Sequence, residues 1–377
     1  MVDDIVNNTD KYFSYTKEIV KKYGDKKVVY AVFVRKPAIY ACEFAISWLK
    51  SLNLKIEIEE NFKEGERVQP GDPLFFLQGD FSSLVELETL LLQKVGLSCL
   101  CAWNAYMMAS SLKNVSFISM VARHCVNPQM VELAEYGVSV GSNVAKKEGS
   151  KAFIGSSTNK CAYLFGNKEG IGTMPHNLIG YANSTLQASK MYWETFKPKT
   201  MTILVDYFGK EVSDSIAVCE YFKDLAQSGN LYLRIDTHGA RYLEGLDYNK
   251  AHDVLEKYTP QALLKYRDKE SIDYMLGMGV SVASIFYFRE KINEYGFNNV
   301  KIVASSGFNL KKCEIMASLK APIDVIGTGS VIPQLWTDTY ATADVISYDN
   351  TLSVKVGREY LLKKYISKNG LQQKDYN

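Results

Sequence analysis

Two hydrophobic patterns follow one another along the 377 residues of the chain. Up to about Gly96 the pattern is mixed. "KKVVYAVFVRK" is a β-branched and aromatic run that reads as a strand. "NLKIEIEENFKEGERVQPGDPLFFLQGDF" alternates apolar and polar positions between turn residues, as several short antiparallel strands would. "SSLVELETLLLQKVG" predicts a helix, with Leu84, Leu87 and Leu91 on one face and Ser83 and Glu86 at capping-box spacing.

From about Val115 the pattern changes. Short β-prone runs recur: "VSFISM", "KAFIGSS", "IGTMPH", "TILVDYF", "LYLRIDT", "KIVASSG" and "IDVIGTG". Helical segments separate most of them, most plainly "SDSIAVCEYFKDLAQSG" and "NLKKCEIMASLKA". Strand–helix alternation implies a parallel sheet. The fold class expected is α/β: an irregular or incomplete α/β barrel of about seven parallel strands, with a doubly wound sheet as the competing reading. After about Ala341, "DVISYDNTLSVKVGREYLLKK" alternates again. The expected organisation is an N-terminal α+β sandwich-like domain over 1–110, the barrel over 111–340, and a tail over 341–377 that packs back on the first domain.

Composition narrows the function classes. A net charge of +2 and the absence of any Lys/Arg block argue against nucleic acid as a partner. No apolar run approaches ~18 residues, so no membrane span is expected. Seven dispersed cysteines without paired CxxC spacing argue against structural zinc and suit a reducing, cytoplasmic location. No P-loop, nucleophile-elbow or H-E-x-x-H motif is present.

The chemistry is expected in loops after the strands, the active face of a parallel barrel. "SSG" (Ser305, Ser306, Gly307) follows one late strand, and "GTGS" (Gly327, Thr328, Gly329, then Ser330) the next. Small residues let backbone N–H groups approach an anion, and hydroxyls add donors, so the two loops together read as a phosphate site. In "RIDTHGAR", Asp236 stands at a strand end with His238 and Arg241 in the loop. A carboxylate there can bind ribose hydroxyls or Mg2+, or face a developing cation; Arg241 can pair with a substrate carboxylate or phosphate. Arg123 and His124 in "MVARHCVNP", and His176 in "IGTMPHN", complete a set suited to an anionic substrate.

These segments resemble those of the nicotinate phosphoribosyltransferases, especially their shorter archaeal and bacterial branch. The matching stretches are "TDKYFSYTKEIV", "VFVRKPAIY", "ELETLLLQ", "ARHCVNPQM", "IGTMPHNLIGY", "RIDTHGARYLEGLD", "MGVSVASIFYFRE", "VASSGFNLKK" and "PIDVIGTGS", in the family's order over nearly the whole chain. The resemblance implies a type II phosphoribosyltransferase barrel in which nicotinate attacks C1 of phosphoribosyl pyrophosphate (PRPP), giving nicotinate mononucleotide and pyrophosphate in NAD salvage. It implies Mg2+ with PRPP, ATP as co-substrate through phosphorylation of His176 in the GTM-x-H motif, and a homodimer or larger homo-oligomer with shared active sites. Asp236 would face the ribosyl cation, Arg123 and His124 the pyrophosphate, and Arg241 the nicotinate carboxylate. Thr173, Tyr12 and His238 would help bind substrate, Tyr12 from a neighbouring subunit. The sequence departs from relatives at Asn127, where a second histidine often stands, and in "SSTNKCAYLFG". A phosphoribosyltransferase for nicotinamide or quinolinate, or a non-catalytic nucleotide-binding regulator with this fold, are the alternatives.

Overall fold

The structure is a computed structural model that describes residues 2–338 and 340–370. Its strands are β1 (Lys27–Val34), β2 (Ala38–Ile39), β3 (Ile56–Glu60), β4 (Arg67–Val68), β5 (Pro73–Asp80), β6 (Ser116–Ser119), β7 (Ala152–Ser156), β8 (Met201–Leu204), β9 (Leu231–Ile235), β10 (Lys301–Ala304), β11 (Val325–Thr328), β12 (Ala341–Tyr348) and β13 (Thr351–Leu352). The described residues form two compact units. One holds the chain up to Tyr106, Cys125–Val144, and the residues from Ile332 onward; the other holds Met107–His124 and Ala145–Val331.

The first unit is built on an antiparallel sheet of order β13-β12-β1-β5-β3. β1 lies at its centre, and its valines and aromatics are buried on both faces. The edge strand β3, "IEIEE", presents glutamates that discourage further strand pairing. β12 places the tail against β1, and Leu361 and Leu362 of the helix Glu359–Asn369 join Val29, Phe33, Phe76 and Ile346 in one core. Residues 371–377 of the expected tail lie outside the described residues.

The second unit is built on a parallel sheet of order β7-β6-β11-β10-β9-β8. Its strands are short, and most of their residues are buried, as is usual for parallel strands. Phe117 and Phe153 sit opposite each other on β6 and β7, fully buried, with ring centroids 5.1 Å apart. Burying each such ring contributes on the order of 2–3 kcal/mol.

Two expectations are corrected. Of the seven strand-like runs, "IGTMPH" is not a strand. Gly172–Pro175 is irregular, and Pro175 precedes a helix over His176–Ala182, so the sheet has six parallel strands among the described residues. Pro175 offers no N–H to a ladder and its fixed φ suits a helix entry. The Ser83–Glu86 capping box does not form. A short helix over Phe81–Leu84 has Asp80 as its N-cap, without a side-chain cap bond, and the buried Glu86 accepts from Lys17 Nζ at 2.6 Å. A distant cation thus took the carboxylate that local spacing had assigned to a cap.

Candidate functional site

Parallel strands end at one edge, so the loops that follow them are brought together there. β9 reaches this edge as Arg234-Ile235-Asp236, and β10, paired in register through Ala304 and Ile235, delivers Ser305 beside it. The Arg234 side chain is 8% exposed. Its Nη2 donates to Asp236 Oδ2 at 2.7 Å, its Nη1 to Thr173 Oγ1 at 2.9 Å and its Nε to Ser305 Oγ at 2.9 Å. Three of the residues expected at the site, from three separate segments, are therefore gathered by one guanidinium. The fork geometry of arginine suits this, because its donors diverge in one plane.

A second network adjoins it. β8 pairs with β9 so that Leu204 faces Arg234, which brings Asp206 alongside Asp236 two residues later. His176, first residue of its helix and half-exposed, has Nε2 3.2 Å from Asp206 Oδ2. Burial pushes the Asp206 carboxyl above the usual carboxylate range, with His176 opposing the shift and Asp236 adding to it. Asp206 Oδ1 is buried with no hydrogen-bond partner among the described residues. Arg241 Nη2 pairs with Glu211 Oε1 at 2.6 Å and donates to the Asp206 carbonyl at 2.8 Å, while Nη1 donates to the Tyr242 carbonyl at 3.2 Å. Glu211 is fully buried and also accepts from Thr237 Oγ1 and the Glu244 N–H.

The two small-residue loops meet at the same edge. The Met120 N–H donates to the Thr328 carbonyl at 2.8 Å, and Thr328 Oγ1 donates to the Phe308 carbonyl at 3.2 Å. A Cβ at Gly329 would come within 2.3 Å of the Met120 carbonyl and 2.7 Å of His124 Cδ2, so only glycine allows the "GTGS" turn to lie against the Arg123–His124 segment. Burial, and next the neighbouring Arg123, hold the His124 imidazole below its ordinary pKa. In "SSG", Ser306 and Gly307 both adopt positive φ, at 76° and 66°. Asn309 then caps the helix Leu310–Ser318, its side chain accepting from the Lys312 N–H at 2.8 Å.

Three expected residues stand apart from these networks. Arg123 is exposed. His238 is exposed, and its Nδ1 accepts from the Ala240 N–H in a local turn. Tyr12 belongs to the other unit, on the helix Lys11–Tyr23, where it is 59% exposed. Asn127 caps the helix Pro128–Lys147 by accepting from the Met130 N–H at 2.8 Å, a role that suits asparagine followed by proline.

Sequence reading missed Arg234, Asp206, Glu211 and Lys312. The signal for Asp206 was present: "ILVD" and "LRID" both end an apolar strand in aspartate. Arg234 was marked only by being a charge inside a strand that is otherwise almost wholly apolar. Among the described residues, no cluster of three or more His, Cys, Asp or Glu side chains is placed to hold a metal ion, and no helix is long and apolar enough to cross a membrane.

Residues 10–99 match the family model for the N-terminal domain of quinolinate phosphoribosyl transferase. A comparison with curated protein sequences gives no match. Among solved structures, nicotinate-nucleotide pyrophosphorylase from Pyrococcus furiosus superposes with a TM-score of 0.70 at 20% identity, over 94% of this chain and 79% of that one. Human nicotinic acid phosphoribosyltransferase gives 0.61 at 14% identity, over 92% and 75%. NadC from Streptococcus pyogenes gives 0.55 at 14% identity, over 93% and 94%. At these identities the likeness establishes a shared α/β fold.

Proposed function

We propose that this chain is a phosphoribosyltransferase of NAD metabolism that joins a pyridine carboxylate to the ribosyl C1 of PRPP, with nicotinate as the acceptor. The observation that carries the reading is the Arg234 hub, which holds Asp236, Thr173 and Ser305 together at the ends of parallel strands. The neighbouring structures named above act as analogies for the chemistry. The six-stranded sheet is read as a barrel left open between β7 and β8. The segment Ile171–Thr173 bonds to β7 through the Ile171 N–H and the Ser156 carbonyl, and to β9 through Thr173 and Arg234, which supports that reading.

In this reading the pyridine nitrogen forms a bond to C1 as the bond from C1 to pyrophosphate breaks. The leaving oxygen departs with the electron pair, and the sugar passes through an oxocarbenium-like state. Asp236, held in place by Arg234, faces that positive charge. Arg123 neutralises charge on the departing pyrophosphate, His124 hydrogen-bonds to it, and Mg2+ would arrive bound to the donor. The "SSG" and "GTG" loops take the 5′-phosphate through their backbone N–H groups. Arg241 is the candidate for the nicotinate carboxylate, which must then share a guanidinium already paired with Glu211. Tyr12 of a neighbouring subunit would stack on the ring in a cytoplasmic homo-oligomer.

His176 supports the ATP-coupled form of this reaction. In the tautomer with the proton on Nε2, donated to an ionised Asp206, the Nδ1 lone pair would bond to the γ-phosphorus of ATP as the bond to the bridging oxygen breaks and ADP leaves. One specific observation favours a second acceptor, quinolinate: the match of residues 10–99 to the quinolinate enzyme's N-terminal domain. Pyrophosphate release from PRPP with nicotinate, nicotinamide or quinolinate decides between them, and ADP formation reports on His176. Release with nicotinate alone is expected; release with quinolinate alone assigns the other acceptor, and PRPP binding without release makes the chain a regulator.

A further inference from the structure

Lys312 is an ammonium group that is almost wholly buried, at 5% exposure, yet no carboxylate pairs with it among the described residues. Its Nζ has one hydrogen bond, donated to the Ser306 carbonyl at 3.0 Å. The Phe308 ring lies over it at 4.4 Å and the Tyr274 ring at 5.7 Å. Burying a cation without a counter-ion is costly, and a chain does so with benefit where an outside anion completes the charge. Asp236, the carboxylate whose field reaches Lys312, is already paired with Arg234 at 2.7 Å.

The contact has a direction. The Ser306 carbonyl and the Gly307 N–H belong to one peptide group. An ammonium on the carbonyl oxygen draws electron density from the whole amide and strengthens its N–H as a donor. The Gly307 N–H donates to no described residue, and no atom lies within 4 Å of a Cβ placed at Gly307. Charge buried beneath the loop is thus relayed to a donor that no described residue uses.

We propose that Lys312 is the positioning residue that makes the Ser305–Phe308 loop a site for a tetrahedral dianion of the phosphate-monoester class, by polarising the Ser306–Gly307 peptide from below. The inference rests on the phosphate-loop reading given above and adds to it the residue and the charge state. Burial lowers the Lys312 ammonium to a pKa of about 8, against the opposing fields of Cys313 on its own helix and Asp236 beyond β9. Tyr274, on the helix Lys269–Leu276, is the titratable group that faces it from the remaining side.

Sulfate provides the probe, because it remains a dianion across the range in which Lys312 titrates. Calorimetric titration of sulfate into the full chain is expected to show affinity falling about tenfold per pH unit above roughly pH 8. Lys312→Arg should bind sulfate at pH 7 and lose this pH dependence. Lys312→Met, checked for folding by thermal melting, should bind at least tenfold more weakly with a flat profile. Equal sulfate affinity in Lys312→Met and the parent chain would overturn the role of Lys312 while leaving the phosphate loop standing. A parent chain that binds no sulfate at any pH would overturn both.

Discussion

Arg241–Glu211 and Arg234–Asp236 are ion pairs of nearly equal length, 2.6 and 2.7 Å, near the ends of β8 and β9 of one sheet. They are built for opposite ends. Glu211 is fully buried, and its two oxygens accept from a guanidinium, a hydroxyl and a backbone amide. Every charge and acceptor in that cluster is used, so it holds loops together. Asp236 keeps 16% of its side chain exposed, its guanidinium partner also holds two hydroxyls, and Lys312 adds a second cation nearby. The distance within a pair therefore says little about its role. What separates the two is the carboxylate: Glu211 is wholly buried with both oxygens used, whereas Asp236 keeps an exposed edge that a ligand can reach.

The largest expected effect lies on the open pair. Asp236→Asn should cut turnover on the order of a thousandfold, about 4 kcal/mol of transition-state stabilisation, without lowering the melting temperature much. Steady-state rates and a melt on the same preparation check this; a rate within tenfold of the parent removes Asp236 from the mechanism. On the closed pair the order should reverse. Arg241→Ala leaves the Glu211 carboxylate buried and uncompensated, so denaturant unfolding should register a loss of about 3 kcal/mol. The proposed role of Arg241 toward substrate is tested in the same variant: a Michaelis constant raised for nicotinate more than for PRPP assigns it to the carboxylate, and equal effects make it structural.

Glu88, in the first unit, is a third case: a half-buried acid near other acids. Burial first, then the fields of Asp344 and Asp10, push its carboxyl up to about 7. A raised acid favours the folded state most below the unfolded pKa of about 4.5, and that contribution is lost as pH rises towards about 7. Discounted for its partial exposure, the change is about 1–2 kcal/mol. Glu88→Gln should flatten the stability profile over this window. An unchanged slope in urea melts at pH 5 and pH 7 would show that Glu88 is solvated like an ordinary surface acid.

The sequence by itself determined the parallel and antiparallel halves, because apolar runs of the right length and their turn residues are local properties. It also marked Asp236, Ser305 and Gly329, since small residues and acids stand out where strands end. Other features depended on partners far along the chain. Glu86 was claimed by Lys17, so no capping box formed. Arg234 acquired its role from Thr173 and Ser305, 61 and 71 residues away. The adjacent lysines of "NLKKC" make the same point at closest range. Lys311 is half-exposed and pairs with Asp268 and Glu270, whereas Lys312 is buried beneath the loop. One step along a helix turns a side chain by about 100°, and only the packing around that helix decides which of two identical residues faces water and which faces the site.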